Sequence, residues 1–366
     1  MAIREVPVRL AGRGYRVRIG HGHTAGLGRR LKKLRLGTHP VLVTNRTVWV
    51  GPGRVVWRSL RAAGFAPEKI FVPDGEKAKS LSQLGRLLNR LADLDSPEKQ
   101  LFLVLVGGGV VGDLGGLTAG LYRRGIPFVQ VPTSLLAQVD ASIGGKTGVD
   151  LPHGKNLVGL IVQPREVHID TAFLATLSER QFRSGLAEIL KCGVIADAIL
   201  FARLERRTLA QLRRPADLTW IIARAVRVKA AVVARDEFER KGIRLVLNFG
   251  HTLGHALEAA VGYSRRVTHG EAVAVGMRAA TRLAAGLGMI GSGPAGRVEA
   301  LLDRYGFSSG IGRGVPETRL FRAMSHDKKW SAGVQRWILL TGIGRAAVRR
   351  DVPVRLVRSV VRGLRG

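Results

Sequence analysis

Residues Leu101–Val106 form an uninterrupted apolar run that stops on Gly107-Gly108-Gly109-Val110-Val111-Gly112-Asp113. A run with no polar position has no solvent face. It reads as a strand covered on both sides, which calls for a parallel sheet with helices on each face. Gly107, Gly109 and Gly112 satisfy GxGxxG directly after this strand and before a helix-like stretch. In that context backbone N–H groups can approach a pyrophosphate at a helix N-terminus. Tight turns in α/β proteins use glycines too, so the pattern alone leaves the ligand open. The acidic ribose partner expected about 20 residues on is missing near Gln130. An adenosine would have to be held otherwise, with Glu76 and Lys79 as candidates, or the ligand is not a dinucleotide.

The flanking pattern agrees with an α/β fold. Residues 3–19 alternate around Gly12-Arg13-Gly14 and read as a β-hairpin. Residues 24–35 read as helical, 40–44 as a strand, 49–63 as a helix and 69–72 as a strand. Ser80 is the expected N-cap of a helix to about Leu94. Phe128–Val131 and Val167–Ile169 are further strands. Strands alternating with helices imply a mostly parallel, Rossmann-like doubly wound sheet. After about residue 172 strand signals fade and amphipathic helical patterns run toward the C-terminus. The expected organisation is an α/β domain over 1–172 and an all-α domain over 173–366. The tail, 352–366, sets Val357, Val360, Val361 and Leu364 on one helical face, which fits a terminal helix packing on the second domain.

Polar residues in apolar helical surroundings mark the second half. Glu188 and Lys191 sit three apart within GLAEILK. His251 and His255 sit four apart within NFGHTLGHALE, and His269 follows in THGEA. Any one histidine is accounted for as a satisfied core imidazole. One carboxylate and three imidazoles together suggest a divalent metal site, because unpaired buried charge is costly. Spacing alone picks His251 and His255, on one helix face, as joint ligands in the style of an HExxH helix, although the middle glutamate is missing.

The first half carries polar segments of its own. Pro132-Thr133-Ser134 ends a strand at the carboxyl edge, where α/β proteins bind ligands; its hydroxyls suit a cofactor or a helix cap. Asp140-Ala141-Ser142-Ile143-Gly144-Gly145-Lys146-Thr147-Gly148 and His153-Gly154-Lys155-Asn156 read as a polar, Gly-rich loop. Two lysines there suit a phosphate or carboxylate, and a solvated loop explains the stretch equally well. Lys229 and Arg244 precede Asn248, and Arg244 could grip a carboxylate. His326-Asp327-Lys328-Lys329-Trp330 alone reads as surface.

The formal net charge is +32. Arginines are scattered along the whole chain and aromatics are only 5%, so a base-stacking platform is not expected. The charge reads as arginine usage on solvated faces, with no nucleic-acid partner, though it would attract anionic small molecules. Lysine is scarce, yet most of those between Lys146 and Lys329 fall in the motif segments. One cysteine, Cys192, excludes a disulfide framework and fits a reducing cytoplasm. No signal-peptide core or membrane-spanning run is present.

Taken in order, GGGVVGD, QVPTSLLAQVDASIGGKTGVDLPHGKN, SGLAEILK, NFGHTLGHALE, THGEAVAVGM and HDKKW resemble the motifs of the 3-dehydroquinate synthases of the shikimate pathway. The likeness spans roughly residues 40–345. It implies an NAD-binding α/β domain, a helical metal-binding domain and a homodimer acting on an anionic sugar phosphate. It implies that Glu188, His251 and His269 hold Zn2+ or Co2+, with His255 turned to the substrate instead. Asp140, Lys146, Asn156, Lys191, Lys229, Arg244, Asn248 and one or both of Lys328 and Lys329 match substrate-pocket positions. Arg124 matches an arginine that reaches the neighbouring subunit's substrate. The implied NAD contacts are Glu76, Lys79, Gly108, Gly109, Asp113, Thr133, Ser134, Lys146, Lys155 and Thr176. Ser134 stands where the family usually has Thr, and an apparent one-residue insertion around Phe238–Lys241 should sit in a turn.

Overall fold

The computed structural model describes residues 2–264, 266–308, 310–312, 314–325, 330–331 and 334–365. The chain divides into two compact units. One comprises Met1–Ser178 with Leu218–Phe238, the other Glu179–Asp217 with Glu239–Gly366.

The first unit is built on a seven-stranded sheet. Its strands are β1 (Arg4–Val8), β2 (Tyr15–Gly20), β3 (His39–Thr44), β4 (Glu68–Phe71), β5 (Leu101–Gly107), β6 (Phe128–Pro132) and, later in the chain, Glu166–Asp170. The last of these lies between β2 and β6, and the others follow in the order β5, β3, β4. Only the β1–β2 hairpin pairs antiparallel; every other pairing is parallel. β5 shows why its sequence is wholly apolar. Leu103 and Leu105 face helices α3 (Leu81–Leu94) and α4 (Gly109–Leu121) through Leu84, Leu87, Leu91, Val111, Leu114 and Leu117. Phe102, Val104 and Val106 face α1 (Leu27–Leu34) and α2 (Arg54–Ala62) through Leu27, Leu31, Val56 and Leu60. Alternate residues therefore serve opposite layers, and each such burial contributes about 1.5–3 kcal/mol. Ser80 caps α3, its hydroxyl accepting from the Gln83 N–H at 3.3 Å.

The segment after β6 departs from the expected loop. Lys146–Leu151 and Gly154–Ile161 form an antiparallel hairpin, β7 and β8. Its glycines serve close strand approach. A Cβ on Gly159 would lie 2.1 Å from the Thr147 carbonyl oxygen, and Gly148 stands opposite it in register. Glycine punctuation here mimics a loop while marking crowded backbones. Phe238 and its neighbours do lie in a turn.

The strand Glu166–Asp170, now β9, is fixed to the 20–24 loop by a buried polar cluster. The Asp170 carboxylate accepts from the N–H groups of Gly22, Thr24 and Ala172 and from the Thr24 hydroxyl, at 2.7–3.0 Å. The Thr24 hydroxyl, having donated its proton there, accepts from His168 Nε2 at 3.2 Å. His23 donates from Nε2 to the Ile169 carbonyl at 2.9 Å. With all its acceptor sites taken, Asp170 acts as a structural anchor.

The second unit is helical. Its central helices are α5 (Glu179–Ala196), α6 (His251–Ala260) and α7 (His269–Gly286). The all-helical expectation needs correction twice: Trp330–Ser331 and Val334–Gln335 pair as short antiparallel strands, and Trp337–Gly342 and Arg345–Arg349 pair as a longer hairpin, β10 and β11. Trp337, Ile338, Leu339 and Leu340 are all buried, and a short apolar run buried on both faces cannot be told from buried helix by periodicity. Helix α8 (Val354–Gly363) closes the chain, with Val357, Val361 and Leu364 buried. Among the described residues no helix is long and apolar enough to cross a membrane.

Burial, reinforced by the neighbouring His23 ring, pushes the His168 imidazole down to about 3. An unfolded histidine titrates near about 6.5. Between those values the unfolded chain binds a proton that the folded chain does not, so the contribution is whole above about pH 6.5 and lost as pH falls toward 3. His168→Gln should therefore melt with a shallower loss of Tm between pH 7 and 5 than the parent. Equal slopes in thermal melts would show that another group carries the acid sensitivity.

Candidate active site

In the first unit the Gly-rich turn leads from β5 straight into α4, with Gly108 as its N-cap. Each glycine has its own reason. A Cβ on Gly107 would strike Val111 at 2.5 Å, and one on Gly112 would strike Gln130 at 2.8 Å. Gln130 is buried beneath α4 and donates to the Gly112 carbonyl at 3.3 Å. The position where an acidic ribose partner is expected is thus consumed by helix–sheet packing.

Beside the start of α4 lies a buried ammonium. Lys79 Nζ sits 2.8 Å from Asp113 Oδ2, 2.5 Å from Asn156 Oδ1, 3.9 Å from Asp150 and 4.0 Å from Glu76. Lys155 reaches Glu76 at 3.3 Å. Asn156 adopts φ +54° and donates its N–H to Asp150 at 2.8 Å. Burial raises the Asp113 carboxyl to about 6 although Lys79 pulls it down. Burial also opposes the Lys79 charge, but Asp113, Glu76 and Asp150 outweigh it and hold its pKa above the usual value. Sequence reasoning placed Lys79 with a cofactor and Asn156 with a substrate; the structure makes them neighbours. Asp150, which joins them, was missed. Its only sequence signal was its place in the Gly-Lys-Thr-Gly-Val-Asp run.

Lys229 Nζ meets the Asp140 carboxylate and lies 2.7 Å from the Asp140 carbonyl. Thr133 is buried and its N–H donates to the Gly107 carbonyl at 2.9 Å. Ser134 Oγ accepts from the Ala137 N–H at 3.3 Å, a capping role, and sits close to Gly108. Thr176 ends the helical turn Thr171–Thr176, its hydroxyl donating to the Phe173 carbonyl. Lys146 opens β7 and is exposed, as is Arg124.

In the second unit the three residues expected as metal ligands come together. Glu188 Oε1 is 3.7 Å from His251 Nε2 and 3.6 Å from His269 Nε2. One donor atom from each residue lies within 4.8 Å of the others. Two ligands each about 2.1 Å from one ion stand about 3.4 Å apart at the tetrahedral angle. Glu188 is 2% exposed, and its Oε1 is a buried atom with no hydrogen-bond partner. Lys191, one turn along α5, pairs with the other oxygen. Burial alone would raise the Glu188 carboxyl, but Lys191 and His269 hold it well below the usual carboxylate range. Burial likewise opposes a charge on His269, yet Glu188 and Glu258 lift it to about 10. The carboxylates of Glu188 and Glu258 thus favour a positive charge on or beside the His269 ring. Both imidazoles direct Nδ1 outward, His251 to the Phe249 carbonyl at 3.1 Å and His269 to Glu258 Oε2 at 3.3 Å. Once a cation displaces the His269 proton, the Nε2 lone pairs of both rings face inward, and a carboxylate with two imidazoles fits Zn2+ or Co2+.

His255 is exposed, its ring 5.1 Å from that of His251. Spacing alone made His251 and His255 joint ligands; the donor set around Glu188 instead pairs His251 with His269 and draws on three helices. Arg244 is buried in the turn Ile243–Asn248, 3.5 Å from Glu239, and Asn248 ends that turn. His326, Lys328 and Lys329 lie outside the described residues.

Glycines bring the helices together. Gly250 has φ +80° and a Cβ there would lie 2.7 Å from the Val273 carbonyl. A Cβ on Gly276 would lie 1.8 Å from the Gly250 carbonyl, and one on Gly270 would lie 2.3 Å from that of Ser184. Thr268 caps α7 in a capping box with Glu271, which Arg180 grips with two hydrogen bonds of 2.8 Å.

Solved structures that share this fold over nearly the whole chain include sugar phosphate cyclases. One is 2-deoxy-scyllo-inosose synthase complexed with carbaglucose-6-phosphate, NAD+ and Co2+, at TM-score 0.86 and 27% identity, covering 98% of this chain and 100% of that one. Another is 2-epi-5-epi-valiolone synthase from Streptomyces hygroscopicus subsp. jinggangensis 5008 with NAD+ and Zn2+ bound, at 0.85 and 28%, covering 100% and 98%. The profile for 3-dehydroquinate synthase N-terminal domains matches residues 69–184, and that for the C-terminal domains matches 185–330. The 3-dehydroquinate synthase of Synechococcus sp. (strain ATCC 27144) is 42% identical over 365 residues, 98% of each chain. The chain belongs to the 3-dehydroquinate synthase family.

The helix contacts yield a paired expectation. Gly276→Ala should cost at least about 2 kcal/mol through overpacking and weaken metal binding, since it separates the helices carrying His251 and His269. Gly85→Ala, where a Cβ meets nothing within 4 Å, should be neutral or stabilising by up to about 1 kcal/mol. Denaturant melts and metal titration of both variants check this.

Proposed function

We propose that the chain converts 3-deoxy-D-arabino-heptulosonate 7-phosphate to 3-dehydroquinate and phosphate in the cytoplasm, as a homodimer using NAD and Zn2+ or Co2+. The observation that carries the reading is the Glu188, His251, His269 donor set in a chain 42% identical to a 3-dehydroquinate synthase over 98% of both lengths. Among its neighbours one was solved with NAD+ and Co2+ and another with NAD+ and Zn2+.

NAD+, when bound, supplies reversible hydride removal from the substrate's C5 carbinol, so it ends the cycle unchanged. A divalent ion held by Glu188, His251 and His269 supplies Lewis acidity toward that carbinol oxygen. The remaining work falls to the chain. The backbone N–H groups of Gly108 and Gly109 at the start of α4 cradle the cofactor's pyrophosphate. Glu76, Lys79, Asp113, Thr133, Ser134, Lys146, Lys155 and Thr176 complete that site. Lys79 holds the Asn156 carbonyl oxygen, which leaves the Asn156 amide N–H groups to donate to a substrate phosphate oxygen. Lys146, His255, one or both of Lys328 and Lys329, and Arg124 from the partner subunit add to that grip. Lys229, oriented by Asp140, and Arg244 take the carboxylate, with Lys191 and Asn248 serving the ring hydroxyls. A cationic site of this kind suits a substrate carrying both phosphate and carboxylate. No protein base is assigned, since the phosphate can remove the proton whose loss expels it. The +32 charge is given no nucleic-acid or membrane partner.

Phosphate release should be observed with the heptulosonate phosphate, with no net change at 340 nm, and should stop after chelation and return with Zn2+ or Co2+. Arg244→Ala should lower kcat/KM by roughly 100-fold, about 2.7 kcal/mol. Turnover of only glucose 6-phosphate or sedoheptulose 7-phosphate, which lack the carboxylate, would assign the chain to another cyclase reaction. Net NADH accumulation would assign it to a polyol dehydrogenase.

A further inference from the structure

We infer that Glu258 is a positioning residue for the metal centre, acting through His269. Helix α6 carries His251, His255 and Glu258 at successive i, i+4, i+7 positions, one face of a helix. The last of these turns its carboxylate toward the ring of His269, Oε2 to Nδ1 at 3.3 Å. The opposite ring nitrogen, Nε2, points at Glu188 Oε1, 3.6 Å away. Glu258 and Glu188 thus bracket one imidazole from its two ends.

The consequence follows from imidazole chemistry. A neutral ring has one N–H and one lone pair, and a carboxylate beside Nδ1 fixes the N–H there. The lone pair is then confined to Nε2, facing the Glu188 and His251 donors, and the carboxylate's charge makes it a stronger ligand. The two histidines are treated differently. His251 donates Nδ1–H to the uncharged Phe249 carbonyl, while His269 faces a full negative charge. Glu258 is only 12% exposed on its side chain, so solvent screens that charge weakly. The centre is built asymmetrically, with His269 as its more basic nitrogen ligand.

The inference rests on the proposed metal reading of the site, and the test separates the two. Apoprotein of the full chain is titrated with Co2+ and Zn2+ against a chromophoric chelator, and the visible Co2+ spectrum is recorded, with no substrate present. Glu258→Ala should weaken binding 10–100-fold while stoichiometry stays at one ion per chain. Glu258→Gln should recover part of the loss, because the amide oxygen still accepts from Nδ1–H though the charge is gone. The Co2+ band should shift in both variants. Parent-like affinity and spectrum in Glu258→Ala would overturn the inference. So would equal losses in both variants that track a lowered Tm, since that is the behaviour of a packing residue. A further outcome, loss of the ion's coordination band with stoichiometry below one in Glu258→Gln, would also overturn it by making Glu258 a direct ligand. If the parent itself binds no ion, it is the metal reading that fails.

Discussion

A carboxylate buried to 2% exposure is the constraint around which the second unit is arranged. An ionised group in that position is several kcal/mol too costly without compensation. Lys191 answers one of its oxygens, and the imidazoles of His251 and His269 face the other. These partners come from three helices that approach closely enough only because Gly250, Gly270 and Gly276 carry no side chain. Packing and electrostatics are therefore one problem here. The same backbone contacts that close the core set the separations between the candidate metal donors.

The first unit solves a similar problem with the opposite charge at its centre. Lys79 is an ammonium buried among Asp113, Asp150, Glu76 and the Asn156 amide. It ties the start of α4 to the β7–β8 hairpin, so residues proposed to meet the cofactor and residues proposed to meet the substrate share one hydrogen-bonded network. A change on either side is felt through the same nitrogen. The Asp170 anchor plays the complementary part for β9, immobilising the 20–24 loop with no free acceptor left over.

Much of the architecture could be read along the chain because it rests on local rules. The β5 run of apolar residues signalled a strand with two covered faces, and Ser80 signalled a helix start, since period and capping are properties of neighbouring residues. The β7–β8 hairpin was hidden because Gly148 and Gly159 look like loop punctuation until the opposing strand is present. The β10–β11 hairpin was hidden because Trp337–Leu340 lacks any periodicity. The candidate site divides in the same way. The residue types that favour a metal and an anionic ligand were visible, while Asp150 and Glu258 were not, one near the end of what proved to be strand β7 and the other as an ordinary helix glutamate.

By itself the sequence determined the chemistry on offer: one carboxylate and several imidazoles in apolar company, a glycine turn after a buried strand, and lysines kept in the motif segments of an arginine-rich chain. Only tertiary structure decided which of those groups act together. Spacing along α6 made His251 and His255 neighbours, yet the donors that converge are His251, His269 and Glu188, from three helices. The physical reason is that helical periodicity governs which side chains share a face, whereas convergence on one point depends on how closely backbones from distant segments can approach.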